Sequence, residues 1–241
     1  MIQFRAAALT DIGRVRRRNE DRMLLDETNL IFGVADGVGG LPGGAEAAEL
    51  VLQCVSERLS NPNGAETPDL REIIVEASDK VNALGRKLSP HTGIGSTLTV
   101  GLIRDTTLWI GHVGDSRCYL LRGETLIPLT TDHSVENEII ARRARGEAVY
   151  FHEVNRHALT RCMGQPSTVQ VDIIQQPLQN RDRYLFCTDG ISGLVDENEI
   201  ADFLSRDEDP ESVLREIIAL AIRRGGPDNA TGVLLRIDSL D

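Results

Sequence analysis

Ile31-Phe32-Gly33-Val34-Ala35-Asp36-Gly37 is an apolar run that stops at a carboxylate and a glycine. The same grammar returns in Tyr184-Leu185-Phe186-Cys187-Thr188-Asp189-Gly190 and in Trp109-Ile110-Gly111-His112-Val113-Gly114-Asp115-Ser116. A fourth aspartate, Asp228, stands in Gly225-Gly226-Pro227-Asp228-Asn229, just before another apolar run. Short runs of this kind, bounded by turn residues, read as buried strands. An aspartate at the end of such a strand lies at the edge of the core, where an unpartnered charge is costly. One Asp-Gly pair is an ordinary turn signal. Four aspartates in this setting, each with glycine nearby, point instead to one shared site. Aspartates converging without thiolate or imidazole ligands would form an oxygen-only site, suited to Mg²⁺ or Mn²⁺ rather than zinc.

The rest of the chain supplies a scaffold for these strand ends. Strands are expected at Leu30–Ala35, Thr97–Ile103, Thr107–Val113, Cys118–Leu121, Thr125–Leu129, Val169–Ile174, Tyr184–Cys187 and Thr231–Ile237. Tight turns such as Arg122-Gly123-Glu124 favour antiparallel pairing. Apolar residues at helical spacing predict helices over Ala45–Leu59 and Asp69–Leu88, with Thr67-Pro68 as cap and first-turn proline. A further helix is expected over Pro210–Arg224, stopped by Gly225-Gly226-Pro227. Helices come in blocks and strands in hairpins, so the fold class is α+β, a single domain over residues 1–241.

Hydrophobic residues make up 41% of the 241 residues and charged ones 26%, enough for a full core without staples. The formal net charge of −11 argues against nucleic acid or an anionic membrane as partner. Cys54, Cys118, Cys162 and Cys187 show no CxxC spacing, so neither zinc nor a redox pair is indicated and a reduced cytoplasmic setting is expected. No run is long and apolar enough for a signal peptide or a membrane span. In this acidic chain, Arg14-Val15-Arg16-Arg17-Arg18 supplies guanidinium forks for a phosphate, with Asn19-Glu20-Asp21 immediately after. The glycines of Asp36-Gly37-Val38-Gly39-Gly40-Leu41-Pro42-Gly43-Gly44 would let backbone approach a metal or ligand closely, and Pro42 would stiffen that loop.

Taken in order, these segments resemble the metal-dependent (PPM-type, type 2C) serine/threonine protein phosphatases of the bacterial branch. The resemblance runs from Thr10-Asp11-Ile12-Gly13 to Asn19-Glu20-Asp21, then through Val34-Ala35-Asp36-Gly37, Gly95-Ser96-Thr97 and His112-Val113-Gly114-Asp115-Ser116-Arg117. It continues in Thr131-Asp132-His133-Ser134, Leu159-Thr160-Arg161-Cys162-Met163-Gly164, Thr188-Asp189-Gly190-Ile191 and Gly226-Pro227-Asp228-Asn229. It implies a β-sandwich of two antiparallel sheets flanked by helix pairs, with metals at one end. By motif position Asp36 would bridge two Mg²⁺ or Mn²⁺ ions, with the Gly37 carbonyl on one of them. Asp189 and Asp228 would complete the first ion, and Asp21, beside Glu20, would reach the second through water. Asp115 would share a weaker third with Asp189. Arg16 takes the place of the phosphate-binding arginine, and residues 134–156 would form a flap at the substrate entrance.

The implied chemistry is direct hydrolysis of phosphoserine and phosphothreonine on proteins. Two ions roughly 4 Å apart would generate the attacking hydroxide from a bridging water, and Arg16 with the metals would stabilise the phosphoryl oxygens. Arg16, Asp36 and Asp189 are thus the expected catalytic set. Relatives often carry a histidine where Val38 or Leu41 stands here, so a proton donor is missing at that place. Thr188 and Pro227 also depart from the common residues, and His133 is read as structural, with Asp132 or Ser134 capping the helix that follows. Expected partners are phosphoproteins made by a Hanks-type Ser/Thr kinase in bacterial signal transduction, met by a monomer. Two other readings stay open at this point: a phosphoprotein-binding relative of weak activity, and a metal-dependent nuclease.

Overall fold

The computed structural model describes residues 2–38, 43–60, 68–149 and 155–240. Ten strands form two antiparallel sheets. One sheet is ordered β1 (Ile2–Asp11), β10 (Ala230–Leu240), β9 (Arg183–Cys187), β6 (Arg117–Arg122) and β7 (Thr125–Pro128). The other is ordered β2 (Asp21–Asp26), β3 (Ile31–Asp36), β4 (Leu98–Arg104), β5 (Thr107–Val113) and β8 (Asp172–Pro177). Phe32, Val34, Ile110, Leu120, Phe186 and Val233 meet between the two sheets. Helices α1 (Gly44–Ser60) and α2 (Leu70–Leu88) bury Val51, Val55, Ile74 and Val81 against the outer face of the β3–β4 sheet. Helices α4 (Asp189–Ser192), α5 (Glu197–Ser205) and α6 (Pro210–Arg223) do the same for the β9–β10 sheet with Ile191, Ile200, Leu214 and Ile217. The outcome is the expected αββα layering, with α3 (Val135–Ala144) outside it.

The ends of these elements differ in places from the sequence expectation. The cap of α2 is Asp69, whose carboxylate accepts from the N–H groups of Arg71 and Glu72 at 3.0 and 3.2 Å, so the helix begins at Leu70. Residue 67, the expected cap, lies outside the described residues, as do residues 39–42 of the glycine loop and 150–154 of the expected flap. Val169 and Val171 are not in a ladder; they pack into the α1–α2 core, and pairing with β5 starts only at His112↔Asp172. Ser134 caps α3 by accepting from Asn137, as expected, while Asp132 instead pairs with Arg117. Strands β1 and β2 were not anticipated, and both prove central: β1 pairs with β10 from Ile2↔Leu240 to Asp11↔Ala230, and β2 closes a hairpin with β3.

Candidate metal centre

Antiparallel pairing carries every expected aspartate to one end of the sandwich. In the β2–β3 hairpin Asp21 and Asp36 are direct register partners, one opening its strand and the other closing its own. The end of β9 lies beside the start of β10 through Gly232↔Cys187, which sets Asp189 and Asp228 side by side. The end of β5 and the start of β6 bracket Asp115 at the same end.

Glycines permit the close approach. A side chain at Gly37 would come within 2.4 Å of the Gly44 carbonyl, and one at Gly190 within 1.9 Å of the Asn229 carbonyl oxygen. Beneath the carboxylates runs a belt of buried hydroxyls. Thr97 Oγ1 accepts from the Asp36 N–H at 2.9 Å and shares a 2.7 Å hydrogen bond with Ser116. Ser96 Oγ donates to the Asp36 carbonyl at 3.0 Å, and Thr188 Oγ1 donates to Asp21 Oδ2 at 2.8 Å.

This concentration of negative charge shows in the acidities. Burial, then Asp21, Asp189, Asp115 and Asp228, hold the Asp36 carboxyl well above the usual carboxylate range. Burial raises Asp21 to about 6, with Thr231 and Thr188 hydroxyls opposing and Asp189 and Asp228 adding to the rise. Asp115 is pushed up to about 7 by burial, then by Asp189 and Asp132. Asp189 is raised by burial and Asp228, and relieved in part by a hydrogen bond with Asp36 and by Arg16. Against these five carboxylates stand Arg16, whose Nη2 lies 2.5 Å from Asp228 Oδ2, and Arg117, which eases Asp115 while paired with Asp132. Such a cluster is stable in ionised form only with further cations.

The donor set fits hard divalent ions. Asp21 Oδ1 and Asp189 Oδ1 are buried with no hydrogen-bond donor, the only such side-chain atoms among the described residues besides Thr160 Oγ1. A buried anionic oxygen without a donor is expensive unless a cation meets it. Among the described residues no three acidic, histidine or cysteine side chains already converge on a single point. Mg²⁺ and Mn²⁺ are hard ions, and Mg²⁺ in particular keeps several waters and binds through one or two carboxylates.

The structure thus brings together Asp21, Asp36, Gly37, Asp115, Asp189 and Asp228. It engages Arg16 with Asp228 rather than leaving its fork open. Two participants carried no role in the sequence expectation, and a third, His133, takes the structural place expected of it. Thr188, noted only as a replacement for serine, keys the Asp21 carboxylate. Asn229, 3% exposed, donates to the Ile12 and Arg18 carbonyls at 2.9 and 3.1 Å and accepts from the Glu20 N–H at 2.8 Å. His133 clamps the turn before Asp115: its N–H donates to the Gly114 carbonyl at 2.7 Å, and its Nδ1 accepts from the Gly114 N–H at 3.1 Å. Beside the cluster a cavity of about 340 Å³ is lined by Asp115, Asp189, Arg117, Asp132, Glu136 and His157.

An αββα sandwich bearing buried, acceptor-only carboxylates and an arginine at one end is the arrangement of a phosphoester hydrolase that works with hard cations. Residues 10–230 match the family described as Protein phosphatase 2C. The serine/threonine phosphatase stp of Listeria welshimeri is 31% identical over 234 residues, spanning 94% of this chain and 93% of that protein. The phosphatase PstP of Mycobacterium tuberculosis is 32% identical over 99% of this chain, which spans 46% of that longer protein. A solved catalytic domain of PstP, in complex with two manganese ions, superposes with a TM-score of 0.83 at 29% identity, covering 98% of this chain and 99% of that one. The chain belongs to the protein phosphatase 2C family, whose members here carry the name serine/threonine phosphatase.

Proposed function

We propose that this chain removes phosphate from serine and threonine side chains of proteins, with divalent cations held by Asp36, the Gly37 carbonyl, Asp189 and Asp228. In this reading Asp36, with Asp189 and Asp228, would hold Mg²⁺ or Mn²⁺, Asp21 would act on an ion through water, and Asp115 with Asp189 would hold a weaker one. The observation that carries it is the pair of buried, donorless oxygens, Asp21 Oδ1 and Asp189 Oδ1, within one cluster of mutually repelling carboxylates. A protein that merely bound phosphate would gain nothing from that arrangement.

When bound, such ions acidify water and neutralise developing phosphoryl charge. The chain's own residues do the positioning. Arg16, resting on Asp228 here, would turn its planar fork to two phosphoryl oxygens, and its loop is pinned by Asn229. Asp36 and Asp21, fixed across one rung of the β2–β3 ladder, set the spacing of whatever they hold. Val38, packed on Gly95, brings no titratable group to the place where relatives often carry a histidine. In this reading residues 1–241 form a single catalytic unit with a flap expected over 134–156, and Glu136 and His157, among the described residues, line the cavity. The substrates are products of a Hanks-type kinase, and the enzyme acts as a cytoplasmic monomer. No helix among the described residues is long and apolar enough to cross a membrane.

The test is hydrolysis of a phosphothreonine peptide with Mn²⁺, with EDTA, and by Asp189→Asn. Turnover is expected only for the unaltered protein with metal. Turnover that persists in EDTA or in the variant would overturn the proposal.

A further inference from the structure

The loop carrying Arg14, Arg16, Arg17 and Arg18 is fastened at both ends to the residues that bracket Asp228. The Arg14 N–H donates to the Gly226 carbonyl at 2.8 Å, and the Asn229 side chain donates to the Ile12 and Arg18 carbonyls. Gly13, at φ +79°, lies so flush against this segment that a side chain there would fall 2.3 Å from the Asp228 carbonyl oxygen. The backbone is therefore held tightly while the side chains of residues 14–18 are exposed. Of these guanidinium groups only that of Arg16 is engaged, on Asp228. Those of Arg14, Arg17 and Arg18 make no hydrogen bond or ion pair among the described residues.

A solitary exposed arginine without a partner says little, since surface pairs are weak. The setting here is different. The chain has 37 acidic and 26 basic residues, and arginines elsewhere, such as Arg5, Arg117, Arg122 and Arg224, are paired with carboxylates. Three guanidinium groups without a protein partner on one fixed loop are free to meet an anion, and the loop adjoins a residue of the metal centre. Apolar side chains stand with them: Val15 is 67% exposed and Ile12 41%.

We propose that this loop is a recognition surface for anionic groups flanking the phosphorylated residue, so that peptides carrying carboxylates or a second phosphate near the scissile ester are the preferred substrates. This rests on the phosphatase reading above. A phosphate seated at the carboxylate cluster puts its neighbouring residues beside the loop, because an extended chain advances only about 3.3–3.6 Å per residue. Elsewhere the net charge of −11 repels an acidic peptide, and the loop reverses that sign at the one place the substrate must reach.

The experiment compares kcat/KM for p-nitrophenyl phosphate, a phosphothreonine peptide with neutral flanks, the same peptide with glutamate flanks, and a doubly phosphorylated version. It uses the unaltered protein, R14Q/R17Q/R18Q and the charge-keeping R14K/R17K/R18K. Three exposed charge pairs give an expected preference of about 3- to 150-fold for the anionic peptides at low salt, carried in KM. That preference should shrink toward 1 M salt, where the screening length is about 3 Å. The glutamine variant should lose it while p-nitrophenyl phosphate and the neutral peptide are cleaved as before, and the lysine variant should retain most of it. The larger gain of the two anionic arms identifies carboxylate or phosphate as the favoured group. Equal rates on neutral and anionic peptides, or a preference that survives in the glutamine variant, would overturn the proposal and leave the phosphatase reading intact. No turnover of any phosphopeptide, by any of the three proteins, would sink both.

Discussion

Asp21→Asn is expected to stabilise the metal-free protein at alkaline pH while weakening its response to metal. Asp21 is 3% exposed; one carboxylate oxygen accepts from Thr188 and the other has no donor. Its folded pKa of about 6, against an ordinary 3.8, means that the folded state holds the proton more tightly than the unfolded one. The stability it contributes is complete below pH 4 and drains away as pH rises through 6. A shift of about 2 units corresponds to about 3 kcal/mol lost by pH 8. Asparagine carries no charge to desolvate and can still accept from Thr188. Imperfect pairing of its amide returns about 1 kcal/mol of cost, leaving a net gain of about 2 kcal/mol, or about 4–8 °C in Tm for a chain of this size. His112, lowered by burial to about 4, and His133, also lowered by burial, add stability as pH rises toward 6.5, opposite in sign. The informative quantity is therefore the variant's Tm minus that of the unaltered protein, followed by thermal melts in EDTA from pH 5 to pH 8. The difference should grow with pH and be positive at pH 8. Mn²⁺ should invert the order, because only the unaltered protein gains the full binding free energy. A difference that is zero or negative at pH 8 in EDTA would refute the reasoning.

Other consequences follow from the same geometry. Arg16→Ala should cut kcat/KM on a phosphopeptide by about 10²-fold, yet tighten Mn²⁺ binding in calorimetry, because Asp228 loses its competing cation. Asn229→Ala removes three hydrogen bonds to the arginine loop and should cost about 1–3 kcal/mol in urea unfolding, with KM raised more than kcat is lowered. Protons and metal compete for Asp21 and Asp115, raised to about 6 and about 7, so activity should climb through this range. Its acid limb should move to lower pH as Mn²⁺ is increased; a limb indifferent to Mn²⁺ would exclude that competition.

How much of this was legible in the sequence depends on where the information lies. Strands β3, β5 and β9 are apolar runs between turn residues, and their terminal aspartates announced a site before any fold was known. Strand β1 was hidden because Ala6-Ala7-Ala8 between Arg5 and Leu9 has neither strong β-preference nor clean alternation; its pairing along β10 decides its state. Strand β2 begins and ends in aspartate, so its charge masked its pattern, although its register with β3 is what places Asp21 opposite Asp36. Helix α5 was not anticipated either, although its capping box, Asp196 with Glu199, stands in the sequence. The supporting contacts were beyond sequence reading. Thr188 reaches Asp21 across 167 positions, and Asn229 reaches Ile12 across 217, distances at which local patterning carries no signal.

Calorimetric titration of Mn²⁺ into the metal-free protein, alongside Asp36→Asn, bears most directly on the assignment of the carboxylate cluster. The unaltered protein should take up two ions per chain with release of protons, and the variant, lacking the carboxylate that both would share, should bind far more weakly. Uptake of Mn²⁺ by Asp36→Asn with unchanged affinity, or none by the unaltered chain, would contradict it.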